Sequence, residues 1–364
     1  MFLNVDYKKI QSPGDIFSPC KSLLEESFQT RVCSQDKADF LREMDYGAMD
    51  FHVHTWFSHD VLPIDAADPL VIYKRARQKG MRFITFTDHD TMDAYDRVGW
   101  TREGIVPGVE IKILDPKRVG HTVHINVYDL NRTQFNELEE IAGVDRNIER
   151  FVQYLREHDL CYVYNHPFWH EPGEIPSIQN IIDISELFPV VEYNMGRVKS
   201  LNTQAMNLAA LNDTGLVAGT DTHIGLVGNV YSLARGNTFR QYFDNIKRGR
   251  SFIVPGDMTA QRLMHEVNER IKYLFERDTW QFNKSSYDLE TGISLVDSLV
   301  EFMVRSDAGS FVTLKRIAKG VLEAVNRSGI PANLYIKSQC ALAEKIEGMM
   351  RARSQTVSLS PAFN

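Results

Sequence analysis

Strand-like and helix-like segments alternate over residues 47–257, and this alternation limits the possible folds more than any other feature of the chain. The strand-like runs are AMDFHVH, RFITFTDHD, IVPGVEI, HTVHINVYDL, CYVYNHP, VVEYN, GLVAGTDTH and SFIVPG. Amphipathic helical runs separate many of them, among others near 133–158, 178–187, 201–213 and 238–248. Alternating β and α units indicate a parallel sheet covered by helices, and about seven strands favour a closed barrel over a small open sheet.

Polar side chains recur at the ends of these strands. They are His52, His54, Asp88, His89, Glu110, His124, His166, Glu192, Asn194, Asp221 and His223. In α/β barrels and in open parallel sheets, the loops at the carboxyl ends of the strands build the active site. We therefore expect these side chains to converge on one pocket.

Pairs of residues two positions apart are one local sign of a metal site, and each pair is weak evidence by itself. Successive side chains of a strand alternate between its faces, so His52 and His54 point to the same side, as do Asp221 and His223. The turn after the first pair holds His59 and Asp60, and we prefer Asp60 as the ligand that reaches a second ion.

Three further segments supply candidate ligands. Glu110 has two carboxylate oxygens to share between cations, and Asp88 is expected to orient His89 or to cap the next helix. His121 and His124 have opposite parity on one strand, so one of them faces the site, and we choose His124. His166 precedes a proline, which favours an extended backbone at the histidine.

The complete candidate set combines imidazole nitrogens with carboxylate oxygens. It contains His52, His54, Asp60, His89, Glu110, His124, His166, Asp221 and His223. Such a set suits two or three divalent ions of zinc, manganese or iron, and it suits neither calcium nor a thiolate zinc site, since no cysteine takes part.

The motifs resemble those of the PHP (polymerase and histidinol phosphatase) superfamily of metal-dependent phosphoesterases. The similar segments are DFHVHTWFSHD, TDHD, GVE, HI, HP and GTDTH, in the order that is typical of the family. The resemblance covers roughly residues 47–257 and implies a distorted seven-stranded TIM-like (β/α) barrel with a trinuclear site. It also implies three ligand sets, which are His52, His54, Glu110 and Asp221; Asp60, His89 and His223; and Glu110, His124 and His166.

The expected activity follows from this resemblance and from the ligand types. We expect hydrolysis of a phosphate ester of a small metabolite or nucleotide by a metal-bridged hydroxide. Asp221, His223 and Glu110 are the expected catalytic residues, and Arg197, Lys112 and His170 are the expected substrate-binding residues. The alternatives are a nuclease acting on oligonucleotide ends, a metal-dependent C–N hydrolase and a non-catalytic, metal-stabilised binding module.

Composition narrows the range of partners. The formal net charge of −7 argues against a protein that coats nucleic acid, so nucleic acid is expected only as a substrate. The four cysteines lie far apart without a CxxC pair, which is typical of reduced thiols in a cytoplasmic protein. No leader-like segment opens the chain and no apolar run of about 18 residues occurs, so no membrane contact is expected.

We divide the chain into three parts. They are an N-terminal extension (1–46), a hydrolase barrel (47–257) and a helical C-terminal region (258–364). The last part carries helical periodicity in four runs, including GISLVDSLVEFMV at 292–304, and its tail QTVSLSPAFN is expected to be loose. We expect these helices to pack on the barrel or on a partner subunit, and the second arrangement would give a homo-oligomer.

Overall fold

The computed structural model describes residues 31–171, 173–276 and 312–359, which form two β-sheets and their covering helices. The strands are β1 (Arg31–Val32), β2 (Gly47–Met49), β3 (Gly108–Leu114), β4 (Thr122–Tyr128), β5 (Cys161–Tyr164), β6 (Val190–Asn194), β7 (Gly215–Gly219), β8 (Tyr231–Ala234) and β9 (Ser251–Val254). The α-helices are α1 (Gln35–Glu43), α2 (Pro69–Gln78), α3 (Asp93–Val98), α4 (Arg132–Glu140), α5 (Ile148–Glu157), α6 (Ile178–Ser185), α7 (Lys199–Leu211), α8 (Phe239–Lys247), α9 (Ala260–Glu276), α10 (Val312–Arg327) and α11 (Ile330–Leu359).

The larger sheet has the strand order β3-β4-β5-β6-β7. Its strands β5, β6 and β7 are parallel, whereas β4 runs antiparallel to both β3 and β5. The smaller sheet has the order β1-β9-β8-β2, and in it β8 is antiparallel to both neighbours. The prediction of a parallel sheet is therefore wrong for β3 and β4. The loop between them, residues 115–121, contains no helix and is short enough to reverse the chain directly.

Two segments predicted as strands are not continuous strands: AMDFHVH is a strand only within β2, and its remainder and RFITFTDHD form isolated bridges. Val53 pairs with Thr222, Ile84 with Ile105, and His89 with Glu110, all in parallel orientation. Here backbone amides that would pair with a neighbouring strand in a continuous ladder donate to side chains. The Val53 amide donates to Thr87 Oγ1, and the Thr55 amide donates to Asp88 Oδ1. The described residues consequently do not close into one sheet, and the structure does not show a seven-stranded barrel.

Aromatic packing joins the two sheets beneath the polar pocket. The ring of Phe51, which follows β2, contacts the rings of Tyr128, Tyr242 and Phe243 at centroid distances of 5.5, 6.1 and 6.3 Å. The last two lie on the buried face of α8, whose apolar residues recur at helical spacing. Burial of one such ring stabilises the fold by about 1.5–3 kcal/mol.

The single helix predicted near 133–158 is two helices. After α4 the chain makes a π-type turn at Ile141–Asp145, and Arg146 takes a left-handed conformation with φ 50°. The side chain of Asn147 then caps α5 by accepting the Arg150 amide. The hydrophobic period continues across the break, and this is why the sequence pattern predicted one helix.

The described helices of the C-terminal region pack on one another and on the sheet-bearing part. Helix α10 packs against α9, and α11 packs against α9, α7 and α6. The buried side chains of Ala343, Ile346 and Met350 on α11 belong to the main hydrophobic core. The helix predicted at 292–304 lies outside the described residues. Among the described helices, none combines the length and apolarity that crossing a bilayer requires.

Candidate metal centre

Glu110 lies at the centre of the polar pocket, where the two sheets meet. It is the third residue of β3 rather than the last, since β3 continues past the bridge to His89. Its Oε2 atom lies 3.0 Å from His52 Nε2, 3.2 Å from His54 Nε2 and 3.3 Å from His89 Nδ1. One carboxylate oxygen therefore faces three imidazole nitrogens at once.

The other oxygen of Glu110 faces a second set of nitrogens. Its Oε1 atom lies 3.1 Å from His124 Nδ1 and 3.3 Å from His166 Nε2, and it accepts a 2.8 Å hydrogen bond from Asn165 Nδ2. His124 is near the start of β4 and reaches this edge because β4 runs antiparallel to its neighbours. The two oxygens of one buried carboxylate thus serve two adjacent positions.

Asp60 and His223 form the third side of the pocket. Asp60 Oδ2 lies 2.6 Å from His223 Nε2 and 3.5 Å from His89 Nε2, while its Oδ1 accepts a hydrogen bond from Ser58 Oγ. The ring of His59 lies 5.1 Å from that of His89 and joins no ligand group among the described residues. The structure therefore brings the carboxylate, and not the neighbouring imidazole, into the pocket.

Asp221 and His166 enter the pocket from strained backbone positions. Both have positive φ angles, 50° at Asp221 and 23° at His166, so the expectation of an extended His166 is wrong. Such conformations cost about 1–3 kcal/mol each and persist where the surrounding structure holds them. Asp221 Oδ1 thereby lies 3.3 Å from His54 Nε2, and its Oδ2 accepts a hydrogen bond from Asn194 Nδ2.

All nine residues of the candidate set have donor atoms in this pocket. The atoms form four overlapping groups, each within 4.8 Å, which are His54, Asp60, His89 and His223; His52, His54 and Glu110; His52, His166 and Asp221; and His89, Glu110 and His124. The first group contains the second ligand set that the sequence implied. His166 and His124, expected in one set with Glu110, fall into different groups.

Burial couples the charges of these side chains strongly. Burial alone would raise the pKa of Glu110, but the neighbouring His52, His89 and His124 outweigh it and hold this pKa well below the usual range. Burial opposes protonation of His54, yet hydrogen bonds with Asp221 and Glu110 raise its pKa to about 10. The buried carboxylates of the pocket therefore need positive charge beside them, either from protons on the imidazoles or from bound cations.

The geometry favours cations over protons as the source of that charge. His52 Nε2 and His54 Nε2 lie 3.0 Å apart, and both point at the same oxygen of Glu110. His89 Nδ1 is buried and makes no hydrogen bond. A divalent ion would satisfy converging lone pairs of this kind, and the nitrogen and oxygen donors fit zinc, manganese or iron.

The outward nitrogens of the candidate ligands also have partners. His52 Nδ1 lies 2.8 Å from Glu192 Oε1, His54 Nδ1 3.2 Å from Ser58 Oγ, His223 Nδ1 2.9 Å from the Asp221 carbonyl, and His124 Nε2 3.3 Å from Glu171 Oε1. Metal-ligating histidines characteristically bond through the second nitrogen in this way. The sequence drew attention to Glu192 without a role, and it missed Ser58 and Glu171.

Asp88 has a different role from the one expected. Its carboxylate accepts the amide and the hydroxyl of Thr55 at 2.5 and 2.7 Å, so it braces the loop after His54. Burial raises the pKa of Asp88 to about 6. Its residue type and its place at a strand end resembled those of a ligand partner, but its hydrogen bonds are made to this loop.

The three expected substrate-binding residues lie at the rim. Arg197 Nη2 is 3.6 Å from Asp221 Oδ2, and its guanidinium lies 5.2 Å from the centre of the Trp169 ring. Lys112 Nζ is 3.7 Å from Glu171 Oε1, and His170 Nδ1 is 3.2 Å from the Glu171 carbonyl. Arg197 is therefore beside a candidate ligand, whereas the other two surround Glu171.

Comparison with known proteins gives distant structural similarities. The chain matches no protein-family model and no curated protein at a significant level. Among solved structures, PsfC from Pseudomonas syringae is 18% identical at a TM-score of 0.45, with 63% of this chain and 98% of that chain covered. The lesion-specific endonuclease PfuEndoQ from Pyrococcus furiosus is 15% identical at a TM-score of 0.42, with 57% of each chain covered.

A third structure comes from Bifidobacterium adolescentis and is provisionally assigned as a metal-dependent phosphoesterase. It is 16% identical at a TM-score of 0.35, with 49% of this chain and 89% of that chain covered. At such low identities and TM-scores, these similarities carry no argument about activity.

Proposed function

We propose that this protein is a metal-dependent phosphoesterase of the PHP type that hydrolyses a phosphate ester of a small metabolite or nucleotide. One observation carries the proposal: the two buried oxygens of Glu110 face two different sets of imidazole nitrogens at 3.0–3.3 Å. A carboxylate in that position can bridge two cations. Hydrolysis at a bridged pair of ions is the chemistry for which such an arrangement is used.

Two or three divalent ions, of zinc, manganese or iron, would be held by the nine candidate ligands. Ions bound there would lower the pKa of a water molecule toward neutrality and offset the charge that develops on phosphoryl oxygens. The chain's own contribution is to fix the donors before substrate arrives. Asp221 and His223 enter from one loop after β7, so one backbone segment orients both expected catalytic side chains.

Arg197 is the first candidate for binding a phosphoryl oxygen. Its guanidinium lies beside Asp221 and against the Trp169 ring, which limits its rotation. A planar, always charged guanidinium can give two parallel hydrogen bonds to an anion. We place Lys112 and His170 farther from the ions, where they would contact the part of the substrate beyond the phosphate.

Metal content and substrate choice test the proposal together. Metal analysis of the purified protein should give two to three divalent ions per chain, and the loaded protein should release phosphate from members of a phosphomonoester panel. Shortening of oligonucleotides without phosphate release from small esters would replace the proposal with a nuclease. Cleavage of C–N bonds alone would replace it with an amidohydrolase activity.

A matched pair of variants connects activity with the pocket. Asp221→Asn should reduce turnover by orders of magnitude, because it removes a charge that faces His52 and His54. Asp244→Asn makes the same chemical change on the exposed face of α8 and should leave turnover unchanged. Equal turnover in both variants, or a loaded protein inactive on every compound, contradicts the proposal.

A further inference from the structure

The carboxylate of Glu192 makes three polar contacts although it lies at the bottom of the pocket, 1% exposed. Its Oε1 lies 2.8 Å from His52 Nδ1. Its Oε2 accepts the backbone amide of His166 at 2.9 Å and the side-chain amide of Asn194 at 3.0 Å. Asn194 Nδ2 also donates to Asp221 Oδ2, so one carboxylate is connected with three candidate ligands.

The contact with His52 decides which ring nitrogen can bind an ion. A carboxylate accepts hydrogen bonds, so the Nδ1 atom that faces Glu192 carries a proton. The Nε2 atom then presents its lone pair toward Glu110, His54 and Asp221, at 3.0, 3.0 and 3.5 Å. Without this acceptor, either nitrogen of His52 could hold the proton.

A close backbone approach keeps Glu192 and His52 together. Gly219 ends β7 directly beside both residues, and a Cβ atom there would lie 2.4 Å from His52 Cβ and 2.5 Å from Glu192 Oε1. Such distances are far inside van der Waals contact, so any side chain at this position would separate the pair. The glycine is therefore part of the same arrangement.

His124 provides an internal contrast. Its outward Nε2 also faces a carboxylate, that of Glu171, but this side chain is 30% exposed and shared with Lys112. Solvent weakens a charge at such a site, and a water molecule can replace the lost acceptor. Glu192 has no such substitute because its surroundings are closed.

We infer that Glu192 is a positioning residue that holds His52 in its Nε2-binding form and connects His52, His166 and Asp221 in one frame. The inference rests on the proposed metal-dependent function, and it adds a residue that binds no ion itself. Partners of ligating histidines typically contribute 10–100-fold to metal affinity.

Metal affinity is the first test, measured by competition with a chromogenic chelator. Glu192→Gln should weaken zinc binding about 10–100-fold, while Glu171→Gln should weaken it less. Glu192→Asp keeps the charge but withdraws the carboxylate from His52, so it should also be impaired. An exposed control, Glu103→Gln, should bind zinc as the unaltered protein does.

Nitrogen-15 NMR of the zinc-loaded protein, with labelled histidines, directly reports which ring nitrogen of His52 is protonated and which binds the metal. The unaltered protein and Glu103→Gln should show a protonated, exchange-protected Nδ1 and a metal-bound Nε2. Glu192→Gln should lose that protection at His52 while the signals of His223 persist. Gly219→Ala should reproduce the same change, since it separates the pair without removing the carboxylate.

The outcomes separate this inference from the proposed function. If the unaltered protein binds no divalent ion, the proposed function fails and this inference fails with it. If the unaltered protein binds zinc and Glu192→Gln shows the same affinity and the same His52 signals, the positioning role alone is overturned. Thermal unfolding of each variant identifies a general loss of structure, in which case the comparison uses Glu192→Asp.

Discussion

The pocket around Glu110 buries charged side chains, whereas the C-terminal helices expose apolar ones. In the pocket, charged side chains such as Glu110, His52 and Glu192 are almost completely buried. On α10, the apolar side chains of Ile317 and Val321 are 58% and 53% exposed. Buried charge needs a compensating partner, whereas an exposed apolar stripe needs none for the fold to persist.

The two regions differ in how much their stability depends on something outside the chain. The pocket holds several carboxylates and imidazoles whose charges stay balanced only if protons or cations are present. The helices α9 to α11 are stabilised by ordinary apolar packing, through residues such as Ile346 and Met350 of α11. Removing cations should therefore disturb the two regions to different extents.

Metal removal should give the largest effect. Ions that bind the folded chain at about 1,000 times their dissociation constant stabilise it by about 4 kcal/mol. Exhaustive chelation should lower the urea midpoint accordingly, and hydrogen exchange should increase near β3 and β4 before it increases in α11. Equal midpoints with and without chelator would remove the contrast between the regions.

Core truncation in the helical region should come next. Ile346→Ala removes a buried side chain from the face of α11 that joins the main core, at a cost of about 2–4 kcal/mol. Val321→Ala on the exposed face of α10 should change stability by less than about 0.5 kcal/mol. Denaturant unfolding of both variants checks this, and a costly Val321→Ala would show that its surface is covered.

The pH dependence of metal binding should be smaller but well defined. Without ions, the pKa of His54 is about 10. Burial lowers the pKa of His124, but the charge of Glu110 outweighs burial and raises this pKa to about 9. Both imidazoles are then protonated at pH 7 and must release their protons when an ion binds. Affinity should therefore rise with pH, by about 1.4 kcal/mol per pH unit for each proton released.

Calorimetry in buffers with different ionisation enthalpies measures that proton release. The observed binding enthalpy should vary linearly with the buffer enthalpy, with a slope that gives the number of protons. A zero slope at pH 7 would mean that the imidazoles are already neutral. The electrostatic account of the pocket would then be wrong, although the ligand geometry would stand.

Self-association should show the smallest effect on stability. The sequence led us to expect that the C-terminal helices pack on the barrel or on a partner subunit. The structure shows contacts of α11 with α6 and α7, and contact with a partner subunit remains a prediction. Replacing Ile317 and Val321 together by lysine should lower the mass measured by sedimentation, while metal content stays constant and stability changes by less than about 1 kcal/mol. The same mass in both proteins would exclude this stripe as the interface.

Much of the pocket could be predicted from local patterns. The pairs His52 with His54 and Asp221 with His223 were predicted from strand alternation. The structure brings all four residues together, although both pairs lie beyond the ends of β2 and β7 and Asp221 has a positive φ angle. The helices near 178–187, 201–213 and 238–248 are confirmed within about two residues at each end, because their apolar period of 3.6 is continuous.

Other features lay beyond local patterns. The strand β8 was not predicted, and the helix break at Ile141–Asp145 leaves no gap in the hydrophobic period. The pairing of His124 with Glu171 depends on a loop whose path the sequence does not encode locally. The choice between His59 and Asp60 likewise required knowing which side chain meets His223.

The sequence by itself determined the chemical character of this protein: nitrogen and oxygen donors at the ends of strands, with no thiolate among them. Tertiary structure decided how they are used, through the reversal of β4 that delivers His124 and the placement of Glu192 behind His52. The physical reason is the separation along the chain of the residues that determine each feature. Side-chain alternation is a property of neighbouring residues, whereas the distance between Glu192 and His52, 140 positions apart, depends on the order of the strands.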